Sequence, residues 1–110
     1  MTSEPAPAGV RRPSVVIASF REVETLFRCV DSLEAQCRFL GAELIIARAG
    51  DADDLARIRA RVPWATVLPA PSGARIPCLR GLGIGAATGH PVAVTEDHCL
   101  AAPDWLEQLV

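Results

Sequence analysis

The four cysteines, Cys29, Cys37, Cys78 and Cys99, contain no CxxC pair, and the two histidines, His90 and His98, do not stand at HxxxH spacing. Both absences argue against structural zinc, whose ligands come from short-range pairs of this kind. No apolar run approaches the roughly 18 residues of a membrane span. The opening MTSEPAPAGVRRP has no apolar core, so no secretory signal is expected in it. The arginines are scattered, the net charge is -2 and the pI is about 5.6, so the basic footprint of a nucleic-acid binder is missing. These absences imply a cytoplasmic chain in a reducing compartment, where its cysteines serve as small buried hydrophobes. Cys29 and Cys37 share one helical pattern but sit about 12 Å apart along its axis, too far to bridge.

What is present is enough apolar sequence for a single domain: 110 residues, half of them hydrophobic. Residues 1–13, rich in proline and alanine and without periodicity, read as a disordered leader. SVVIAS, residues 14–19, is a β-branched run suited to a strand buried on both faces. Val23, Leu26, Phe27, Val30 and Leu33 then recur at helical spacing, predicting a helix over about 22–37 with an outer Glu24–Arg28 pair. Residues 43–47 read as a second strand. Asp51 caps the following helix, with Asp54 three residues on; its stripe is Leu55, Ile58 and Val62, and Pro63 stops it. Residues 65–68 form a third strand, residues 69–73 a turn-rich loop, and Pro77 opens a helix that Gly89 terminates. Residues 92–95 form the fourth strand.

This alternation predicts an α/β three-layer sandwich with right-handed crossovers and a mainly parallel sheet. Such sheets bind ligands at the strands' carboxyl ends. Ser19 and Phe20, residues 48–50, residues 70–73, and Glu96, Asp97 and His98 all gather on that edge. The most informative junction is the last, where a short apolar strand delivers three polar, metal-competent side chains. A plain helix lead-in is the competing reading. Gly81, Gly83 and Ala86 fit a G-x-G-x-x-A dinucleotide fingerprint, but its mechanism needs a strand immediately before the glycines. Here a proline-led helix start precedes them, so they read as small residues that let a helix pack closely on the sheet.

Two stretches carry a family resemblance. SVVIASFREVETLFRCVDSL resembles the opening strand and helix of family 2 glycosyltransferases of the Rossmann-like GT-A fold. LRGLGIGAATGHPVAVTEDHCLAAPDWLEQL is similar to that family's arginine-bearing helix, next strand, aspartate-rich metal motif and Pro-x-Trp-Leu segment, so that the likeness covers residues 14–110. It implies an inverting sugar transfer from a nucleotide-diphosphate sugar to an unknown acceptor. Ser19 and Phe20 would then meet the nucleotide base, Arg80 would support the donor site, and Glu96 would hydrogen-bond a donor hydroxyl. A divalent cation, Mg or Mn, would rest mainly on Asp97 with His98 as second ligand, neutralising the departing diphosphate.

Departures from the family pattern shape the expectation. Arg48 and Ala49 stand where the family has paired aspartates for the base, and Glu-Asp-His is less anionic than three aspartates. The family's acceptor site and catalytic base lie downstream of Val110, so no catalytic base is named. The chain is therefore expected to be a truncated donor-binding half, inactive alone and prone to associate through Trp105, Leu106, Leu109 and Val110. The alternative is a non-catalytic nucleotide-binding or structural α/β module.

Overall fold

The computed structural model describes residues 12–110; the leader expected over residues 1–13 falls, except for Arg12 and Pro13, outside the described residues. Four strands, β1 (Ser14–Ser19), β2 (Glu43–Ala49), β3 (Thr66–Ala70) and β4 (Val92–Glu96), alternate with helices α1 (Val23–Leu40), α2 (Ala52–Arg61), α3 (Ile76–Ala86) and α4 (Trp105–Leu109). They form one wholly parallel sheet in the order β3-β2-β1-β4. The parallel pairing brings every strand's carboxyl end to one edge. β1, in the middle, is buried along its whole length, as its unbroken apolar run requires.

Alternation along the strands builds the three layers. Val15 and Ile17 of β1 and Leu44 and Ile46 of β2 pack on one face against α1, Ile58 of α2 and Leu106 of α4. The opposite face is lined by small residues, Ala18, Ala47, Ala49 and Ala70, on which Leu79 of α3 rests. Gly83, one turn beyond Leu79, lies so close to β1 that a Cβ there would sit 2.2 Å from Cγ1 of Val16. A Cβ at Gly81 or Gly85 would meet nothing within 4 Å. The glycines are thus interior to a helix, the dinucleotide mechanism is excluded, and only the middle one is needed for packing. Gly83→Ala is expected to cost about 1–3 kcal/mol by overpacking, whereas Gly81→Ala and Gly85→Ala should each stabilise α3 by up to about 1 kcal/mol. Thermal melts of the three variants check this.

Local differences from the sequence expectation have identifiable causes. α1 runs on to Leu40, where Gly41 turns left-handed at φ 64° and closes a Schellman pair, its N–H to Arg38 O and that of Ala42 to Cys37 O. β3 continues through Pro69 to Ala70, which an edge strand tolerates because it need not donate to a further neighbour. α3 stops at Ala86, not at Gly89. Gly89 serves close approach instead: a Cβ would lie 2.1 Å from the Arg12 carbonyl oxygen, and its N–H donates to Ser14 Oγ at 2.8 Å. Pro13 is buried and its carbonyl accepts from Glu43 N, so the ordered edge begins before Ser14. Glu24 pairs across helices with Arg57 at 2.7 Å, while Arg28 turns to Thr25.

The cysteines divide. Cys29 and Cys37 are the expected buried hydrophobes, and burial pushes their thiols up to about 12 and about 11, but Cys78 and Cys99 are exposed. All four are free. Leu106 does not lack packing: it is fully buried, and Gln36 of α1 holds its segment by accepting from Leu106 N at 2.7 Å and donating to Ala102 O at 2.9 Å. Leu109 and Val110 remain about half exposed.

Candidate functional site

The carboxyl edge is organised around two buried charges of opposite sign. Asp97 follows β4, is fully buried, and is placed by its own N–H donating to Ala18 O at 3.1 Å. Its Oδ2 accepts three hydrogen bonds, from Ser19 Oγ (3.1 Å), Phe20 N (2.8 Å) and Arg21 N (2.7 Å). Arg48, near the end of β2 and 4% exposed, reaches the same loop. Its Nη1 donates to Ser19 Oγ at 2.9 Å and to the Arg21 carbonyl, and stands 3.8 Å from Asp97 Oδ2. Its Nη2 donates to Asp54 Oδ2 at 3.1 Å. The Ser19 hydroxyl accepts from the guanidinium and donates to the carboxylate, the use that one donor and two lone pairs permit. Asp51 caps α2 as its spacing predicts, accepting from Asp54 N at 2.9 Å, and so steadies the outer end of this network.

Outside that hub lies a second, more open group. Glu96 ends β4 on the α3 side; its Oε1 accepts from Arg80 Nη2 at 2.7 Å, and its Oε2 is 3.5 Å from His98 Nδ1. The same nitrogen is 4.0 Å from Asp97 Oδ1. The rings of Phe20 and His98 meet edge to face at 6.4 Å, and the Arg21 guanidinium lies 5.4 Å from the centre of the Phe20 ring. Beyond Phe20 opens a pocket of about 390 Å³, lined by Phe20, Gly73, Ala74, Arg75, Ile76 and Pro77. Phe20 therefore stands between an apolar pocket and the acidic turn. Arg80, Glu96 and His98 do not line the pocket; His98 touches the Phe20 ring, and Glu96 joins it to Arg80, one turn along α3 from the lining residues Ile76 and Pro77.

The residues singled out from sequence thus fall into two sets. Ser19 and Asp97 belong to the buried hub, whereas Phe20, Glu96, His98 and Arg80 reach the open edge. Among the described residues no three His, Cys, Asp or Glu side chains converge as a closed metal cage. A divalent cation nevertheless suits this edge, because magnesium-type sites take only one or two carboxylates from the protein and complete their shell with phosphates and water. Asp97 Oδ1 is buried with no hydrogen-bond partner, and it faces the His98 nitrogen. The separations of 3.5 and 4.0 Å are wider than the roughly 3 Å between adjacent ligands of such an ion, so these side chains would have to draw in around it. Sequence reasoning placed Arg48 on this edge but gave it no role there, and it missed Asp54 as a member of the site. An arginine in the otherwise apolar buried run that follows Glu43, LIIARA, was the available signal, since a buried guanidinium requires carboxylate partners.

The model of the family described as Glycosyl transferase family 2 matches residues 14–110. No curated protein sequence matches the chain significantly. Among solved structures, the chain is similar to the mannosyltransferase PcManGT from Pyrobaculum calidifontis, determined in complex with GDP-Man and Mn2+. The TM-score is 0.62 at 19% identity, and the match covers 94% of this chain and 34% of that one. The chain therefore spans about a third of the length of that mannosyltransferase, with which it shares the fold.

Proposed function

The chain belongs to glycosyl transferase family 2, and we propose that the carboxyl edge of its sheet holds a nucleotide-diphosphate sugar, with a divalent cation, for transfer to an acceptor. The observation that carries this reading is the position of Phe20, between the pocket at the start of α3 and the Glu96–His98 turn. A nucleoside fits the pocket against the Phe20 ring, with Arg21 and Arg75 at its margin. Its diphosphate then points across Phe20 toward Arg80, Glu96 and His98.

Each residue has a definite task in this proposal. Glu96 and His98 are the ligands that face the cation, and Asp97 stands behind them offering only Oδ1, because its Oδ2 is committed to three donors. Arg80 orients Glu96 through their 2.7 Å ion pair and adds positive charge beside the diphosphate. Ser19 acts from within the hub and does not reach the base, its hydroxyl being used by Arg48 and Asp97. The cation, when bound, would offset the charge that develops on the leaving diphosphate. Transfer, expected to invert the anomeric centre, also needs a base for the acceptor hydroxyl, and none of these edge residues is assigned that role.

Titration calorimetry of the chain with GDP and with UDP, in Mn2+ and in EDTA, tests the proposal. Binding of at least one nucleotide is expected, weaker by about tenfold or more without the cation, a difference of about 1.4 kcal/mol. Failure of both nucleotides to bind in Mn2+, or equal affinity in EDTA, would remove the donor-site reading.

A further inference from the structure

We propose that Arg48 is a positioning residue: with Asp97 it fixes the loop from Ser19 to Arg21, and thereby sets Phe20 at the mouth of the pocket. The consequence for binding rests on the donor-site reading above; the hold on the loop does not.

The loop's polar groups are divided between the two buried charges. The N–H groups of Phe20 and Arg21 go to Asp97, the Arg21 carbonyl to Arg48, and the Ser19 hydroxyl to both. Neither charge is stable in the interior without the other, since an isolated buried ion is far costlier than a paired one. Asp54 completes the arrangement by holding the second nitrogen of the fork from the start of α2. One guanidinium thus joins β2, the β1–α1 loop, α2 and the turn after β4. The fork is essential to this task. Two nitrogens serve Ser19, Arg21 and Asp54 at once, which the single ammonium of a lysine cannot reproduce. The backbone makes room for it, because a Cβ on Gly50 would lie 3.0 Å from Arg48 Nε. Phe20, whose amide is held here, is also the residue that lines the pocket and meets His98. Loosening the hub should therefore displace a side chain that both lines the pocket and meets His98.

The test compares wild type with Arg48→Lys, Arg48→Met and the charge-neutral pair Arg48→Met with Asp97→Asn. Amide hydrogen exchange at Phe20 and Arg21 is read by NMR against amides of Cys29 to Leu33 in α1. In Arg48→Lys we expect a folded chain with α1 exchange unchanged, and exchange at Phe20 and Arg21 faster by about tenfold or more. Affinity for the nucleotide that wild type binds in Mn2+ should fall by about tenfold, since the loop is no longer preorganised. If Arg48→Met does not fold, Arg48→Lys and the charge-neutral pair carry the comparison. Wild-type protection of both amides in these variants would overturn the proposal, and so would accelerated exchange with undiminished nucleotide affinity. If wild type binds no nucleotide, the donor-site reading fails, while the exchange rates still decide whether Arg48 holds the loop.

Discussion

Asp97→Ala is expected to lower the stability of the chain by about 3–5 kcal/mol, the cost of breaking a buried ion pair by removing one partner. The carboxylate is fully buried and accepts from Ser19 Oγ, Phe20 N and Arg21 N. Its loss leaves two amide donors unpaired and leaves Arg48 with one carboxylate partner among the described residues, Asp54, whose side chain is 31% exposed and bonds only one nitrogen of the fork. Small domains have about 5–15 kcal/mol of stability in total, so this one truncation removes a large fraction of it. Asp97→Asn should be milder, because the amide oxygen still accepts from the loop while only the charge is lost. Urea denaturation followed by the fluorescence of Trp64 and Trp105 measures both. An unchanged midpoint in Asp97→Ala would mean that the hub is dispensable and that Asp97 serves only a ligand. The sequence alone pointed to a metal ligand whose removal changes cation dependence; the hydrogen bonds to Oδ2 give the residue a structural task first.

The strands and most helix limits could be read from the chain because they are local. The β-branched run of β1, the apolar stripe of α1 and the Asp51 cap each depend on residues within one or two turns. Gly83 was legible only in part: the sequence shows three glycines in a helix, and contact with Val16 decides which one must remain glycine. Arg48 was read as a departure from a family pattern. Its meaning depends on Asp97, brought to it by parallel pairing of β1 with both β2 and β4. Strand alternation could have divided Glu-Asp-His correctly. Ala93 faces α1, so a period of two sends Glu96 and His98 to the α3 side and Asp97 to the other. The family resemblance grouped them otherwise, Asp97 with His98 on the cation and Glu96 apart on a donor hydroxyl.

That division yields the second large effect, this time on binding. Glu96→Ala and His98→Ala should each weaken cation-dependent nucleotide binding by about 10–100-fold, the usual range for perturbing the ligand shell of a metal site. Neither should alter folding by more than about 0.5 kcal/mol, because both side chains reach the open edge and the partners of Glu96, Arg80 and His98, are themselves exposed. Arg80→Ala is the internal comparison. Its ion pair with Glu96 is exposed enough to contribute about 0–1 kcal/mol, so it should retain Mn2+ dependence while losing part of the affinity. The three variants therefore separate a ligand role from simple charge balance. Calorimetry with Mn2+ and the nucleotide that wild type prefers supplies the affinities, and a thermal melt of each variant supplies the folding control. If Glu96→Ala and His98→Ala bind as wild type does, the cation is not held at this turn. If Arg80→Ala abolishes the Mn2+ response as completely as they do, the response reflects the charge around the diphosphate, and the assignment of Glu96 and His98 as ligands fails.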